Sequence, residues 1–359
     1  MKRNIVVVGS GILGLSSAIK ICEELGDQYN IYIVAEHFPD SYPFEPEFAS
    51  PWAGAHFRPF PNRSKSDERN FALTRYTQEY FRYLARECPE SSIRFVKGVE
   101  YLEEPDSFYS NVSRGYREEM NNFELLPEKS LSLNFKFGCI YDTWVANPLL
   151  LLQYLQRRLV YEFDAHFILA RLDSLKDALK YVQNSSVIIN CSGRGLQYYG
   201  GYDESCFPMR GQTLLIKTPR THPYNDKTIT YVHKHNLWTF CIPRPLHGGM
   251  IIGGTKQPGD LYRVPKDEDT KALLRRAGNY FPELMKKNEK NADYFDIESI
   301  NVGFRPMREK GLNISVDRHQ EVTVVHAYGA GGMGYELSFG VGHAVCDILN
   351  NIFKNNAKL

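Results

Sequence analysis

The chain has 359 residues, 43% hydrophobic and 24% charged, which is enough for two domains with separate cores. Forty-three basic against forty-two acidic residues leave a formal charge of +1, so no field of the whole molecule recruits nucleic acid or an anionic membrane. No apolar run of about 18 residues is present to span a bilayer, and seven cysteines without a CxxC pair read as reduced, buried thiols of an intracellular protein.

The opening "MKRNIVVVGSG" reaches an apolar run within four residues and lacks a cleavage-site pattern, which argues against a signal peptide. "NIVVV" fits a buried parallel strand, "GSGILG" a turn, "LSSAIKICEELG" a helix and "NIYIVAE" a second buried strand. In this β-α-β unit Gly9, Gly11 and Gly14 form G-x-G-x-x-G, and Glu36 follows 22 positions after Gly14. The spacing suits a dinucleotide: a tight turn, backbone close to a pyrophosphate, a helix N-terminus facing the phosphates, and an acid for the ribose hydroxyls. FAD and NAD are not distinguished by this unit. The next stretch, "HFPDSYPFEPEFASPWAGAHFRPFPN", is rich in Pro and aromatics and reads as a loop that lines something, in place of a third β-α repeat.

Further on, Asn147 and Pro148 open a helix over "NPLLLLQYLQRRLVYE", and "VIINCSGRG" is a buried strand ending in glycines. "YVHKHN" holds His233 and His235 without a third ligand nearby; it reads as an exposed loop or strand end and not as a metal site. In "GGMIIGGTKQPGD", residues 248–260, a buried strand ends in a double glycine and then presents Lys256. "TVVHAYGAGGMGYELSFGVGHAVCDILNNIF" reads strand, glycine loop, helix. The expected fold is α/β: a discontinuous Rossmann-like nucleotide domain (1–51, 141–204 and 301–359) and an α+β substrate domain with a mixed, largely antiparallel sheet (52–140 and 205–300). The chain closes on Ala357, Lys358 and Leu359, a small-basic-Leu tripeptide similar to a peroxisomal import signal.

Taken together, "VVVGSGILGLS", "ASPWAGA", "VIINCSG", "RGQTLLIK", "IPRP", "IIGGT", "VGFRP" and "VVHAYGAGGMGYE" resemble, in order and spacing, the fungal D-amino acid oxidase and D-aspartate oxidase family of FAD flavoproteins, over essentially the whole chain. The resemblance implies non-covalent FAD, a D-amino acid and O2 as substrates, hydride transfer from the substrate Cα to flavin N5, and imino acid and hydrogen peroxide as products. A peroxide producer belongs beside catalase, which strengthens the peroxisomal expectation and makes an import receptor an expected partner. A homo-oligomer is compatible with the sequence, which does not fix the oligomeric state.

The resemblance also assigns residues. Gly9, Gly11, Ile12, Leu13, Gly14 and Glu36 would hold the cofactor's dinucleotide part. Ser50, Trp52, Ala53 and Gly54 would run under the flavin, with Cys191, Ser192 and Gly193, and Gly331, Gly332, Met333, Gly334 and Tyr335, completing the cofactor contacts. Arg305 of "VGFRP" would grip the substrate α-carboxylate with its planar fork, and the carbonyl of Gly332 would accept the substrate amine. Alignment then does the catalytic work and no base is needed.

Two departures point to an acidic side chain. Phe240 in "TFCIPRP" stands where neutral-substrate relatives have a tyrosine, so a hydroxyl to the α-carboxylate is lost unless Tyr231 or Tyr335 supplies it. Lys256 follows "GGT" where D-aspartate oxidases carry a basic residue, and His56 stands where neutral-substrate fungal enzymes mostly have asparagine, with Arg58 two residues on. Arg305, Lys256, His56 and Arg58 would suit a dicarboxylate and reject apolar D-amino acids. A broad D-amino acid oxidase and a FAD-binding protein without enzymatic activity remain as rival readings.

Overall fold

A computed structural model describes residues 2–132 and 134–356; the C-terminal tripeptide lies outside them. Two sheets carry the fold. The first has six strands in the order Asn313–Arg318, Thr323–Tyr328, Ser185–Asn190, Arg3–Val8, Tyr29–Ala35, His166–Leu169. All neighbours are parallel except the pair Asn313–Arg318 and Thr323–Tyr328.

Its β-branched strands are apolar on both faces, as a covered parallel sheet requires. Ile5, Val7, Ile33, Ile189 and Val325 point into the large core with the helices Ile12–Leu25 and Gly334–Asn356. Their alternates Val6, Val8, Val34, Ile188 and Val324 face Leu175, Ala178 and Val182 on the other side. The helix Gly334–Asn356 packs on Ile12–Leu25 and on Lys65–Glu87, which is started by a Ser64 side chain accepting from Asp67 N.

The second sheet has nine strands, all antiparallel neighbours except Arg94–Leu102 beside Lys227–Val232. Leu214, Ile216, Cys241, Met250 and Ile252 pack toward Leu273 and Ala277 of the helix Asp267–Tyr280. Val96, Val145, Ile242 and Ile251 form a cluster of their own, against which Phe240 packs.

Strand pairing divides the sheets at other positions than the expected 141 and 301. Phe137–Val145 pairs with Arg94–Leu102 throughout, and Ile297–Arg308 pairs with Cys206–Ile216 as far as Arg308, so both strands belong whole to the second sheet. A long antiparallel partner decides membership, and composition does not reveal it. Arg305 therefore stands on the second sheet, within four residues of its last paired position.

All seven cysteines are free thiols, four of them buried. His233 is buried rather than exposed: its Nδ1 meets Glu103 at 2.7 Å and its Nε2 meets Thr239 Oγ1 at 3.0 Å. Among the described residues no helix is long and apolar enough to cross a membrane, and no group of three or more His, Cys, Asp or Glu could hold a metal.

Candidate active site

Three loops leave the carboxyl ends of adjacent parallel strands and converge, the place where open α/β sheets bind ligands. The first begins at Gly9, whose φ of +104° is open to glycine at little cost. A side chain on Gly14 would collide with the Gly9 carbonyl, so helix and turn pack closer than any other residue permits. The following helix has Gly11 at its N-cap and no side-chain cap; Ile12 N donates to Ser50 Oγ at 3.1 Å, while its neighbours Leu13 and Gly14 belong to the same uncapped first turn. Such a turn is a ready anion site. Glu36 directly follows the second strand, exposed, with Oε1 3.7 Å from Arg171 Nη1 and its other oxygen left for ribose hydroxyls.

The second loop is tied to the first by Cys191 N donating to Val8 O at 2.9 Å. Ser192 is fixed by its Oγ donating to Asn190 Oδ1 at 2.7 Å and accepting from Leu196 N at 2.8 Å. The carbonyl of Gly193 accepts from Gly329 N at 3.0 Å, which draws in the third loop, Gly329 to Met333, and the helix that starts at Gly334. The start of the first helix, whose Gly11 N-cap offers no side-chain cap, fits a bound dinucleotide, whereas Glu336 in the first turn of the last helix faces Arg58 and Arg75 instead. Glu336 is buried with Oε2 lacking a hydrogen-bond partner, and burial pushes the carboxyl up to about 8.

The 50–54 segment crosses from this loop cluster to the second sheet. Trp52 lies against Gly303, and a Cβ there would sit 3.1 Å from the Trp52 Cβ. Ala53 O accepts from the half-buried Arg244 Nη2 at 3.2 Å, and Gly54 lies against the tip of the Ile242 side chain. Tyr335 serves this segment. Its hydroxyl donates to Ser50 O at 3.0 Å, with Pro148 O at 3.4 Å, so it pins the turn and is not a replacement donor for a substrate carboxylate. Tyr231 is not one either: it stacks on Tyr101 and packs tilted against Tyr280, ring centroids 5.0 and 4.4 Å away, on the face of its sheet opposite Phe240. The hydroxyl lost at Phe240 is supplied by neither tyrosine.

The other expected substrate residues gather around Arg305. Its Nη1 donates to Thr255 O at 3.2 Å, and Gly211 on the paired strand leaves the space its guanidinium fills. The Gly332 backbone lies alongside, a Cβ there being 3.6 Å from Arg305 Cδ. Phe240 covers Gly253 and Gly254, with the His56 ring 6.3 Å from its own. Lys256 is exposed as a residue, yet its amine rests 3.2 Å from the Trp238 ring centroid. Burial of that amine, then the charges of Arg58 and Arg305, hold it down to about 7. The indole thus shelters the amine while the rest of the residue meets water. Among the described residues, neither Arg305 nor Lys256 makes an ion pair.

Two expectations change. Arg58 is buried against a carboxylate of its own: Nη1 pairs with Glu100, which is itself fully buried and accepts from Tyr116 OH at 2.9 Å. It is therefore a neutralised structural cation, not a second grip on substrate. His56 is no cation either. Burial, with Arg58 next to it, lowers its pKa to about 3, and its Nδ1 lies 3.1 Å from Thr228 Oγ1. The sequence reading missed Glu100, Trp238 and the Thr255 carbonyl. Only Trp238 had a local signal, the alternation that puts it with Phe240 on one side of "LWTFCI".

Residues 4–348 match the FAD dependent oxidoreductase family, DAO. The chain is 34% identical to a D-aspartate oxidase of Talaromyces thermophilus, over 97% of this chain and 95% of that one. It is 33% identical to a D-amino-acid oxidase of Schizosaccharomyces pombe, over 94% of each. In fold it is similar to glycine oxidase from Bacillus cereus (TM-score 0.69, 16% identity, 98% of this chain and 95% of that one). The same holds for L-proline dehydrogenase from P. horikoshii (TM-score 0.72, 14% identity, 98% and 94%). With the fingerprint loop, the convergence of three strand ends and this full-length similarity, the chain belongs to the D-amino acid oxidase and D-aspartate oxidase family of FAD-dependent enzymes.

Proposed function

We propose that this enzyme oxidises acidic D-amino acids: D-aspartate, O2 and water give oxaloacetate, ammonia and hydrogen peroxide. The observation that carries the reading is a pair of neighbouring cations: Arg305 is held by the carbonyl of Thr255, the residue before Lys256, its charge helps to lower the lysine's proton affinity, and neither is ion-paired among the described residues. An unpaired cation sheltered from water is costly, and a carboxylate partner recovers that cost, more fully at half-buried Arg305 than at exposed Lys256. A dicarboxylate restores both partners at once; an apolar D-amino acid restores one.

FAD, when bound, would supply the two-electron acceptor for this oxidation. The protein's own task is alignment. The Arg305 fork takes the α-carboxylate by two parallel hydrogen bonds, and its bond to Thr255 O fixes the fork's orientation. The Gly332 carbonyl, beside Arg305, takes the amine. Lys256, protonated on meeting the distal carboxylate, takes the other end. Neutral His56 and the Phe240 ring bound the pocket between them.

A peroxide assay across D-aspartate, D-glutamate, D-alanine and D-proline tests this. D-Aspartate should lead, and Lys256→Met should lower its kcat/KM by about 100-fold, equivalent to about 2.7 kcal/mol, with D-alanine unharmed. An unchanged D-aspartate to D-alanine ratio in that variant rejects the acidic assignment. A second reading, broad D-amino acid oxidation, draws on the same lysine, since an amine with a pKa of about 7 is half neutral at physiological pH. The proposed location is the peroxisomal matrix, through Ala357, Lys358 and Leu359. Masking the C-terminus with a fused tag should leave the protein in the cytosol; continued import rejects the signal.

A further inference from the structure

Trp238 has two cations against its ring, the Lys256 amine and the Glu100-paired Arg58. Lys256 Nζ lies 3.2 Å from its ring centroid and Arg58 Cζ 4.2 Å. The indole is itself held: Nε1 donates to Asn236 Oδ1 at 2.6 Å, and the backbone pairs with Val232 at the start of its strand. Arg58 is held in turn by the fully buried Glu100, whose second oxygen accepts from Tyr116. A continuous set of contacts thus runs from Glu100 through Arg58 and the indole to the lysine amine.

A lysine side chain has large rotamer freedom, and this one has Arg58 and Arg305 to repel its charge. Nothing else among the described residues offers its amine a carboxylate, so the π face is the attraction that fixes it. Fixing a side chain before the ligand arrives raises affinity by sparing the ordering cost at binding.

We propose that Trp238 is a specificity-determining residue, a positioning residue whose indole presents the Lys256 amine to the side-chain carboxylate of an acidic D-amino acid. This rests on the reading of Lys256 given above. Trp238 has no part in holding the α-carboxylate, so its loss acts on KM for acidic substrates and spares kcat and neutral substrates. It also acts only through the lysine, so its effect vanishes once the lysine is gone.

The test is steady-state kinetics of the holoenzyme with D-aspartate and D-alanine for Trp238→Leu, Trp238→Phe, Lys256→Met and the Trp238→Leu/Lys256→Met double variant, with Tm and flavin absorbance recorded for each. Trp238→Leu should raise the D-aspartate KM about tenfold, and Trp238→Phe, with its weaker π face, about threefold. The D-aspartate kcat and the D-alanine constants should stay within about twofold, and the double variant should be no worse than Lys256→Met alone. An equal loss on both substrates, or losses that multiply in the double variant, overturns the proposal. If Trp238→Leu does not fold, Trp238→Phe decides, and an unchanged D-aspartate KM there overturns it. Lys256→Met leaving the substrate preference intact sinks the reading of Lys256 itself; a collapse there beside a silent Trp238→Leu removes only the role of Trp238.

Discussion

The two ends of the cleft are built by opposite means. The dinucleotide end is backbone: Gly9, Gly11 and Gly14 lie within six positions of each other, and their spacing alone sets the turn, the close packing and the free amides. The substrate end is side chains: Trp238, Lys256 and Arg305 come from separate segments, brought together by the pairing of the second sheet's strands and the turn after Gly253. The first end binds what every member of the family binds, and the second is free to change its substrate without disturbing the first.

That contrast can be broken most forcefully at the backbone end. Gly14→Val should abolish FAD binding, because no rotamer relieves a clash between its Cβ and the Gly9 carbonyl. The check is the flavin content of the purified variant, and a yellow protein at normal stoichiometry contradicts the account. Arg305→Leu should come next, lowering kcat/KM by about a thousandfold for D-aspartate and D-alanine alike, in the range expected when one partner of a buried hydrogen-bonded charge pair is removed. An effect on one substrate alone would mean that Arg305 does not serve the shared carboxylate.

A smaller effect sharpens the comparison by pH. The Lys256 amine, near 7 in the free enzyme, is charged below that value and neutral above it, facing Arg58 and Arg305 with Glu100 already committed to Arg58. As pH rises from about 7 to 9, KM for D-aspartate should climb by up to about tenfold per unit, while KM for D-alanine keeps a flatter course. Parallel profiles would contradict a role for the amine. The least effect belongs to Glu336. Its folded pKa, about 8, lies above the value of an unfolded glutamate, so the folded state holds the extra proton in between. Its stabilisation is present at about pH 4 and declines as pH rises through 8. Glu336→Gln should therefore match the wild-type Tm at low pH and lose less of it by pH 8.5, and identical slopes would contradict that.

How much of this was legible beforehand follows the same division. The β-α-β unit, the helix after Asn147 and Pro148, and the C-terminal strand, loop and helix show in local periodicity because local propensity and burial agree there. The sheet boundaries did not show: Phe137–Val145 and Ile297–Arg308 owe their places to long-range partners. Charge state was the least readable. His56 and Arg58 looked like free cations in "AGAHFRPF", and only the fold reveals that one is kept neutral by burial and the other neutralised by Glu100, 42 positions away. The isolated His233 misled for a similar reason, its burial depending on Glu103 from another strand end.

The claim at the centre is that Lys256 holds a second carboxylate while Arg305 holds the first. The most direct measurement is the affinity of the oxidised holoenzyme for succinate and butyrate, two unreactive acids of equal carbon number, followed by flavin absorbance in wild type and Lys256→Met. Succinate should bind at least about tenfold more tightly to the wild type, a difference of about 1.4 kcal/mol, and lose that advantage in the variant. Equal affinities in the wild type, or an advantage that survives loss of the lysine, would contradict the account.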